Sequence, residues 1–326
     1  MASYVRKSSI IATVVLVAFN CILLGRYDRD IGGSIPIRLA ASSLGAWHHN
    51  ITECSEDRLG RLVSIRSRIR SNCPDRSPWW ITFAGELSEG RSLTHVNIGC
   101  NKGFDFLATL ENLSGDDRYS PVAYRHRLES LGLMFDGNGA CNQISGVASR
   151  PRPKIDNIRK VEGYCIEPAR KTFEVLKAGL ESLAGDGVVV SQMVMGPSRG
   201  YVSFPDVEAG VEDKGISTEG IQVQAMTLDE YAEAQDLRVI DLLSVDTEGN
   251  DMNVLYGSIG LLSRHLVRVL EFEVHDVGHW GVSRLDNVIA LLDNLGMICY
   301  WHLNGDHPIL RATRCMSEAY ETPTRG

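Results

Sequence analysis

The chain has 326 residues, 44% of them hydrophobic, enough for one large domain with appended segments. Its formal net charge of -8 at pH 7 and its 7% aromatic content exclude the basic face of a nucleic-acid binder. Small or neutral ligands suit this composition better.

At the N-terminus, Ser8 to Gly25 carries no charged residue and follows Arg6-Lys7. It is long enough to cross a thin bilayer as a slightly short helix. A cleavable signal peptide would look similar, but Leu23 stands where the cut site needs a small residue. Residues 1–30 are therefore expected to form a single-pass transmembrane signal anchor. Arg6 and Lys7 on one side balance Arg26 and Arg29 on the other, so charge does not set orientation. With the N-terminus in the cytosol by default, the expected location is the endomembrane system (ER or Golgi), with the remaining chain lumenal; cleavage would make the protein secreted.

The eight cysteines show no zinc-type spacing, and no metal site is expected. Cys21 lies in the anchor. Cys100, Cys165 and Cys299 fall in or beside apolar runs and read as small buried hydrophobes. Cys54, Cys73, Cys141 and Cys315 sit in polar stretches and could pair in an oxidising lumen in any of three ways.

Residues 31–89 read as a stem, with an amphipathic, arginine-rich stretch from Arg58 to Arg70. From 90 to 305, apolar runs of strand length alternate with helical periodicity, the pattern of an α/β domain with a mostly parallel sheet and helices on both faces. Strands are expected near 93–98, 161–166, 188–192, 239–245, 267–274 and 297–302. Pro168 suits the first turn of a helix running to about Leu183. Thr227 to Glu230 forms a capping box, and Ser283 to Asp286 opens the last helix in the same way. A polar excursion at about 113–160 reads as an insertion whose base lies away from the strand C-termini. Residues 306–326 form a tail.

Ligands of an open parallel sheet collect at the carboxyl ends of its strands. The first such end carries Gly99-x-Asn101-x-Gly103, where glycines permit a tight turn and close backbone approach. The second carries Glu167, placed to accept hydrogen bonds from vicinal ribose hydroxyls or to face the start of the next helix. The fourth ends in Asp246-Thr247-Glu248-Gly249, whose acids could orient a hydroxyl, accept a proton, hold a cation or cap a helix. On the fifth, alternation puts Glu271, Glu273 and His275 on one face. His275 titrates near neutrality and is the candidate general base.

In order, Val96-Asn97-Ile98-Gly99-x-Asn101-x-Gly103, Glu167-Pro168, Thr227-Leu228-Asp229, Asp246-Thr247-Glu248-Gly249 and Glu273-Val274-His275 resemble the successive motifs of the FkbM family of S-adenosylmethionine-dependent methyltransferases. The resemblance implies a Rossmann-like methyltransferase fold, S-adenosyl-L-methionine as cofactor, and O-methylation of a sugar, glycan or related small molecule. It implies donor contacts from Asn97, Gly99, Asn101, Gly103, Glu167 and Gln192, and places Asp246, Glu248, Glu273 and His275 at the transfer site. Two features depart from the family pattern: Ser244 stands where a lysine is usual, and the excursion at 113–160 separates the glycine turn from Glu167. Two other readings stay open. One is a lumenal metal-dependent glycosyltransferase using Asp246 and Glu248; the other is a catalytically silent binding module on the same fold.

Overall fold

The computed structural model describes residues 17–22, 92–135, 160–212, 214–274, 278–281, 283–302 and 309–314. In chain order the strands are β1 Val17–Ile22, β2 Leu93–Ile98, β3 Val161–Ile166, β4 Val188–Ser191, β5 Val194–Met195, β6 Gly200–Phe204, β7 Ile221–Met226, β8 Ile240–Val245, β9 Val267–Val274, β10 Ile298–His302 and β11 Ile309–Arg311. The helices are α1 Phe104–Ser114, α2 Pro121–Ser130, α3 Arg170–Ala184, α4 Leu228–Ala234, α5 Asp251–Tyr256, α6 Ile259–Ser263 and α7 Leu285–Asn294.

The main sheet has the order β11-β10-β1-β9-β8-β2-β3-β4, and β5-β7-β6 form a smaller one. Neighbours from β9 through β8, β2 and β3 to β4 run parallel. Strands covered on both faces must be apolar nearly throughout, which is why the sequence shows them as continuous runs. Alternation sends Val96, Ile98, Leu243, Val245, Leu270 and Phe272 into a core shared with α4 to α7. Leu93, Leu242 and Val269 face the other way, into a core shared with α1, α2 and α3. The domain is therefore a three-layer α/β/α sandwich. The parallel strands β3 and β4 are laid down on one side of β2 and β8 and β9 on the other, so the order of connection switches there, and a crevice opens beyond the strand ends.

The sequence-based strands reappear within a residue at each end. The expected anchor helix does not: Val17–Ile22 is a strand hydrogen-bonded antiparallel to β9 and β10. An apolar run filling a sheet and one filling a bilayer share a composition, so hydropathy could not separate them. The rest of the expected anchor, the stem and the tail beyond residue 314 lie outside the described residues. No helix among the described residues is long and apolar enough to cross a membrane.

The expected insertion is decoration only in part. Its first half holds α2, which buries Tyr124 and Leu128 beside Leu176 and Leu180 of α3. Gly179 makes room, since a Cβ there would lie 2.7 Å from both side chains of α2. Residues 136–159 lie outside the described residues.

Two helix starts also move. Helix α3 begins at Arg170 with Ala169 as N-cap, so Pro168 precedes the helix instead of opening it. The N-cap of α7 is Arg284, with no side-chain bond, and not Ser283. The capping box at Thr227 forms as expected, with both reciprocal bonds made.

The cysteine reading is corrected as well. Cys100 and Cys165 are buried but joined in a disulfide, with Cα atoms 5.5 Å apart, and Cys299 is also disulfide-bonded. Adjacency of β2 and β3 brings the first two together across 65 residues of sequence, a distance that local pattern does not reveal. No cysteine among the described residues is free.

Candidate functional site

The turn after β2 is built to touch its neighbours. Gly99 has φ +87°, and a Cβ there would lie 1.5 Å from the Asp246 carbonyl oxygen, so the turn packs backbone against backbone on the end of β8. The N–H groups of Gly99 and Cys100 both donate to the Ile166 carbonyl at the end of β3, at 2.9 and 3.2 Å. The Cys100–Cys165 disulfide adds a covalent tie to the same strand.

Glu167 follows β3 and is only 6% exposed. One carboxylate oxygen accepts from the Asn101 N–H of the glycine turn and the other from the Ala169 N–H before α3, each at 2.8 Å. Glu167 thus joins the turn to the helix start, and each oxygen keeps a second lone pair for a ligand. Burial pushes its carboxyl up to about 7, against the pull of those two bonds, and Asp246 raises it further.

Across the crevice, the Asp246 N–H donates to Ile98 at 2.9 Å, while its side chain is exposed. Glu248 holds φ +52° and Gly249 φ +93°, so the chain turns sharply before α5. Asp251, fully buried, accepts from the Thr247 N–H and from Trp280 Nε1, each at 3.1 Å. Burial, then Asp246, lifts its carboxyl to about 7.

On β9, Glu273 is 8% exposed and hydrogen-bonds Asp246. Burial first, then the charges of Asp246, Glu248 and Asp251, hold Glu273 well above the usual carboxylate range. Glu271 is raised to about 7 by burial, then by Asp105 and Asp246; its hydrogen bond to Ser244 opposes this. Ser244 in turn meets His95 Nε2 at 3.2 Å, and burial holds that imidazole neutral with its pKa near 3. His95, Ser244 and Glu271 thus form a hydrogen-bonded track across β2, β8 and β9.

A crevice with an empty volume of about 670 Å³ opens among these strand ends. Of the residues expected to contact a donor, Gly99, Asn101 and Glu167 line it. Asn97 stays in the sheet opposite Cys165 and Ser244, Gly103 caps α1 against Leu176, and Gln192 turns its amide to the Pro168 carbonyl at 3.5 Å; none of the three is in the lining. Asp246 and Glu248 line the crevice, Glu273 reaches it through Asp246, and His275 lies outside the described residues.

Sequence reasoning missed the remaining walls. Met193, Val194 and Met195 supply one apolar side, and Phe204, Val211 and Ile216 another. The second side belongs to the end of β6 and the segment that follows it, which is tied to the glycine turn and to α3. Glu212 pairs with Lys102, Glu208 with Lys171, and Asp206 with Arg170 at 3.1 Å, while the Gly210 N–H donates to Thr172 Oγ1 at 2.9 Å. The alternation of acids at 206, 208 and 212 was visible, but its partners lie in other elements. Among the described residues, no group of three or more His, Cys, Asp or Glu side chains is arranged to hold a metal ion.

Comparison with known proteins bears on residues 140–299, which match the family model described as the methyltransferase FkbM domain. That match begins after the glycine turn. A similar solved structure is a methyltransferase FkbM from Methylobacillus flagellatus KT, at 14% identity, covering 68% of this chain and 44% of that one with a TM-score of 0.33. The chain thus spans less than half the length of that relative. No curated protein matches the chain.

Proposed function

We propose, from the match of residues 140–299 to the methyltransferase FkbM domain, that the chain uses S-adenosylmethionine to methylate a hydroxyl of a sugar, glycan or related small molecule. The observation that carries the reading is the joint between Asn101, Glu167 and Ala169 at the crevice wall. A buried carboxylate fixed by two backbone N–H groups is a preorganised acceptor for paired hydroxyls such as those of a ribose. The apolar flanks Met193, Val194 and Phe204 suit a planar base.

When bound, the donor supplies an electrophilic methyl group on a sulfonium. The protein's part is positioning. Asp246 and Glu248, at the open side of the crevice, orient the acceptor hydroxyl by accepting its hydrogen bond, and His275 is the proposed base that takes its proton. The buried pair Glu273 and Asp251 holds Asp246 and the Thr247 backbone in place.

The Cys100–Cys165 bond supports an oxidising compartment for this domain, in line with a lumenal or secreted location. The donor would then have to be delivered there from the cytosol.

Calorimetric titration of the full chain with S-adenosylhomocysteine tests the donor site. Binding in the wild type, weakened tenfold or more in Glu167→Ala, supports it; no binding overturns it. Binding without methyl transfer across a broad acceptor panel would instead favour the silent module.

A further inference from the structure

After β6 the chain makes a detour, residues 205–212 and 214–217, whose two ends are brought back together. The Ser217 N–H donates to the Ser203 carbonyl at 3.1 Å, an isolated antiparallel bridge across the base. Gly220, at φ +132°, then passes so close to Phe204 that a Cβ there would lie 2.0 Å from its carbonyl oxygen. The detour is thus an Ω-loop, a compact unit that leaves and re-enters the sheet at one place.

The body of this loop crosses the crevice. Val211, Glu212, Lys214 and Ile216 line it. On the β2–β3 side the loop is fastened four times: Glu212 to Lys102 of the glycine turn, Glu208 to Lys171, Asp206 to Arg170, and the Gly210 N–H to Thr172 Oγ1. On the β8 side it rests on backbone, since a Cβ on Gly215 would lie 3.0 Å from the Glu248 carbonyl oxygen. A ligand held at Glu167 and flanked by Met193 and Phe204 would therefore lie under the loop. Two features await such a ligand. Ile216 lines the crevice yet is 43% exposed, and the buried Asn101 Oδ1 has no hydrogen-bond partner.

The fastenings are unequal. The side chains of Asp206, Arg170 and Glu208 are 38%, 43% and 62% exposed, and ion pairs in such surroundings contribute little. The Lys102 side chain is 6% exposed, and Glu212 is its only ion-pair partner among the described residues. Breaking that pair with the loop in place would leave a buried ammonium uncompensated. The pair can open only as the loop lifts and lets water reach Lys102, which makes the loop a two-state element.

We propose that this loop is a gate over the donor crevice and that the Lys102–Glu212 pair is its latch. Lys102 is a positioning residue: it stands between Asn101, whose N–H holds Glu167, and Gly103, the N-cap of α1. Shutting the gate and fixing the donor turn are then one event. The inference rests on the methyltransferase reading above for the identity of the ligand, whereas the latch is a property of the chain alone. A gate that must lift for both entry and exit slows both. Loosening its latch speeds both, whereas damage to the binding site would speed only exit.

The test combines surface plasmon resonance of S-adenosylhomocysteine on the immobilised full chain with hydrogen exchange of the ligand-free protein. Wild type, Glu212→Gln and Asp206→Asn are compared, with urea midpoints measured alongside. In Glu212→Gln the association and dissociation rate constants should both rise about fivefold or more, as expected for a loosened gate. Exchange in peptides spanning Gly210 and Val211 should quicken about tenfold, while Asp206→Asn changes each quantity less than about twofold. Loop exchange as slow as in the wild type, or faster dissociation without faster association, would overturn the gate. Should Glu212→Gln not fold, the wild type decides: bound S-adenosylhomocysteine should slow exchange in those peptides about threefold or more, and unchanged exchange would overturn the proposal. No binding to the wild type would overturn the donor reading, and the loop exchange of the variants would then decide the latch by itself.

Discussion

The two halves of the crevice are built on opposite terms. On the β2–β3 side, backbone groups and a carboxylate satisfy one another: Gly99, Cys100 and Asn101 all donate to the end of β3, Glu167 is bonded at both oxygens, and a disulfide closes the unit. On the β8–β9 side, acids crowd around Asp246 with oxygens left over. The first half can hold a ligand without rearranging. The second concentrates carboxyl groups, several of them buried, around one strand end.

This contrast can be broken from the satisfied side first. Gly99→Ala places a methyl group inside the Asp246 carbonyl contact at a positive φ, and should cost about 4 kcal/mol or prevent folding, as read by urea denaturation. Removing the disulfide with Cys100→Ser and Cys165→Ser together should cost about 3 kcal/mol, and should weaken donor binding because the turn loses a tie to β3. An unchanged affinity in that variant would show that the hydrogen bonds alone preorganise the turn.

The buried acids of both sides should show themselves in pH. The folded-state carboxyls of Glu167, Asp251 and Glu271 are raised to about 7, above their unfolded values near 4. Between those values the folded chain binds more protons than the unfolded one, so stability is greatest at low pH and falls as pH rises through about 7. The melting temperature of the ligand-free protein should drop by about 3–8 °C from pH 5.5 to pH 8. A flat or rising profile would contradict the burial of these acids. The smallest effect belongs outside both halves: Thr227→Ala removes the capping box of α4 and should cost about 1 kcal/mol with ligand binding unchanged.

The sheet was legible because both of its faces are covered, which writes each strand as an apolar run: Leu93–Ile98, Val161–Ile166 and Val267–Val274 were readable to the residue. The same logic misread Val17–Ile22, since nothing in composition separates a sheet interior from a bilayer. Helix α2 was missed because only Pro121, Tyr124 and Leu128 are buried, too few for a periodic signal. In the site, the strand-end residues Gly99, Asn101, Glu167, Asp246 and Glu248 were visible from local pattern and do meet in one crevice. What stayed hidden depends on contacts between distant segments: the Cys100–Cys165 bond, the Lys102–Glu212 pair that fastens the 205–217 segment, and the coupling of Glu271 and Asp251 to Asp246.

The joint of Asn101, Glu167 and Ala169 is the proposed donor site. Calorimetric titration of S-adenosylhomocysteine into the full chain and into Glu167→Ala tests it most directly, with the variant's urea midpoint measured alongside. Saturable one-to-one binding to the wild type is expected, with at least a tenfold loss in the variant while it remains folded. Wild-type affinity in a folded Glu167→Ala, or no binding to the wild type, would contradict it.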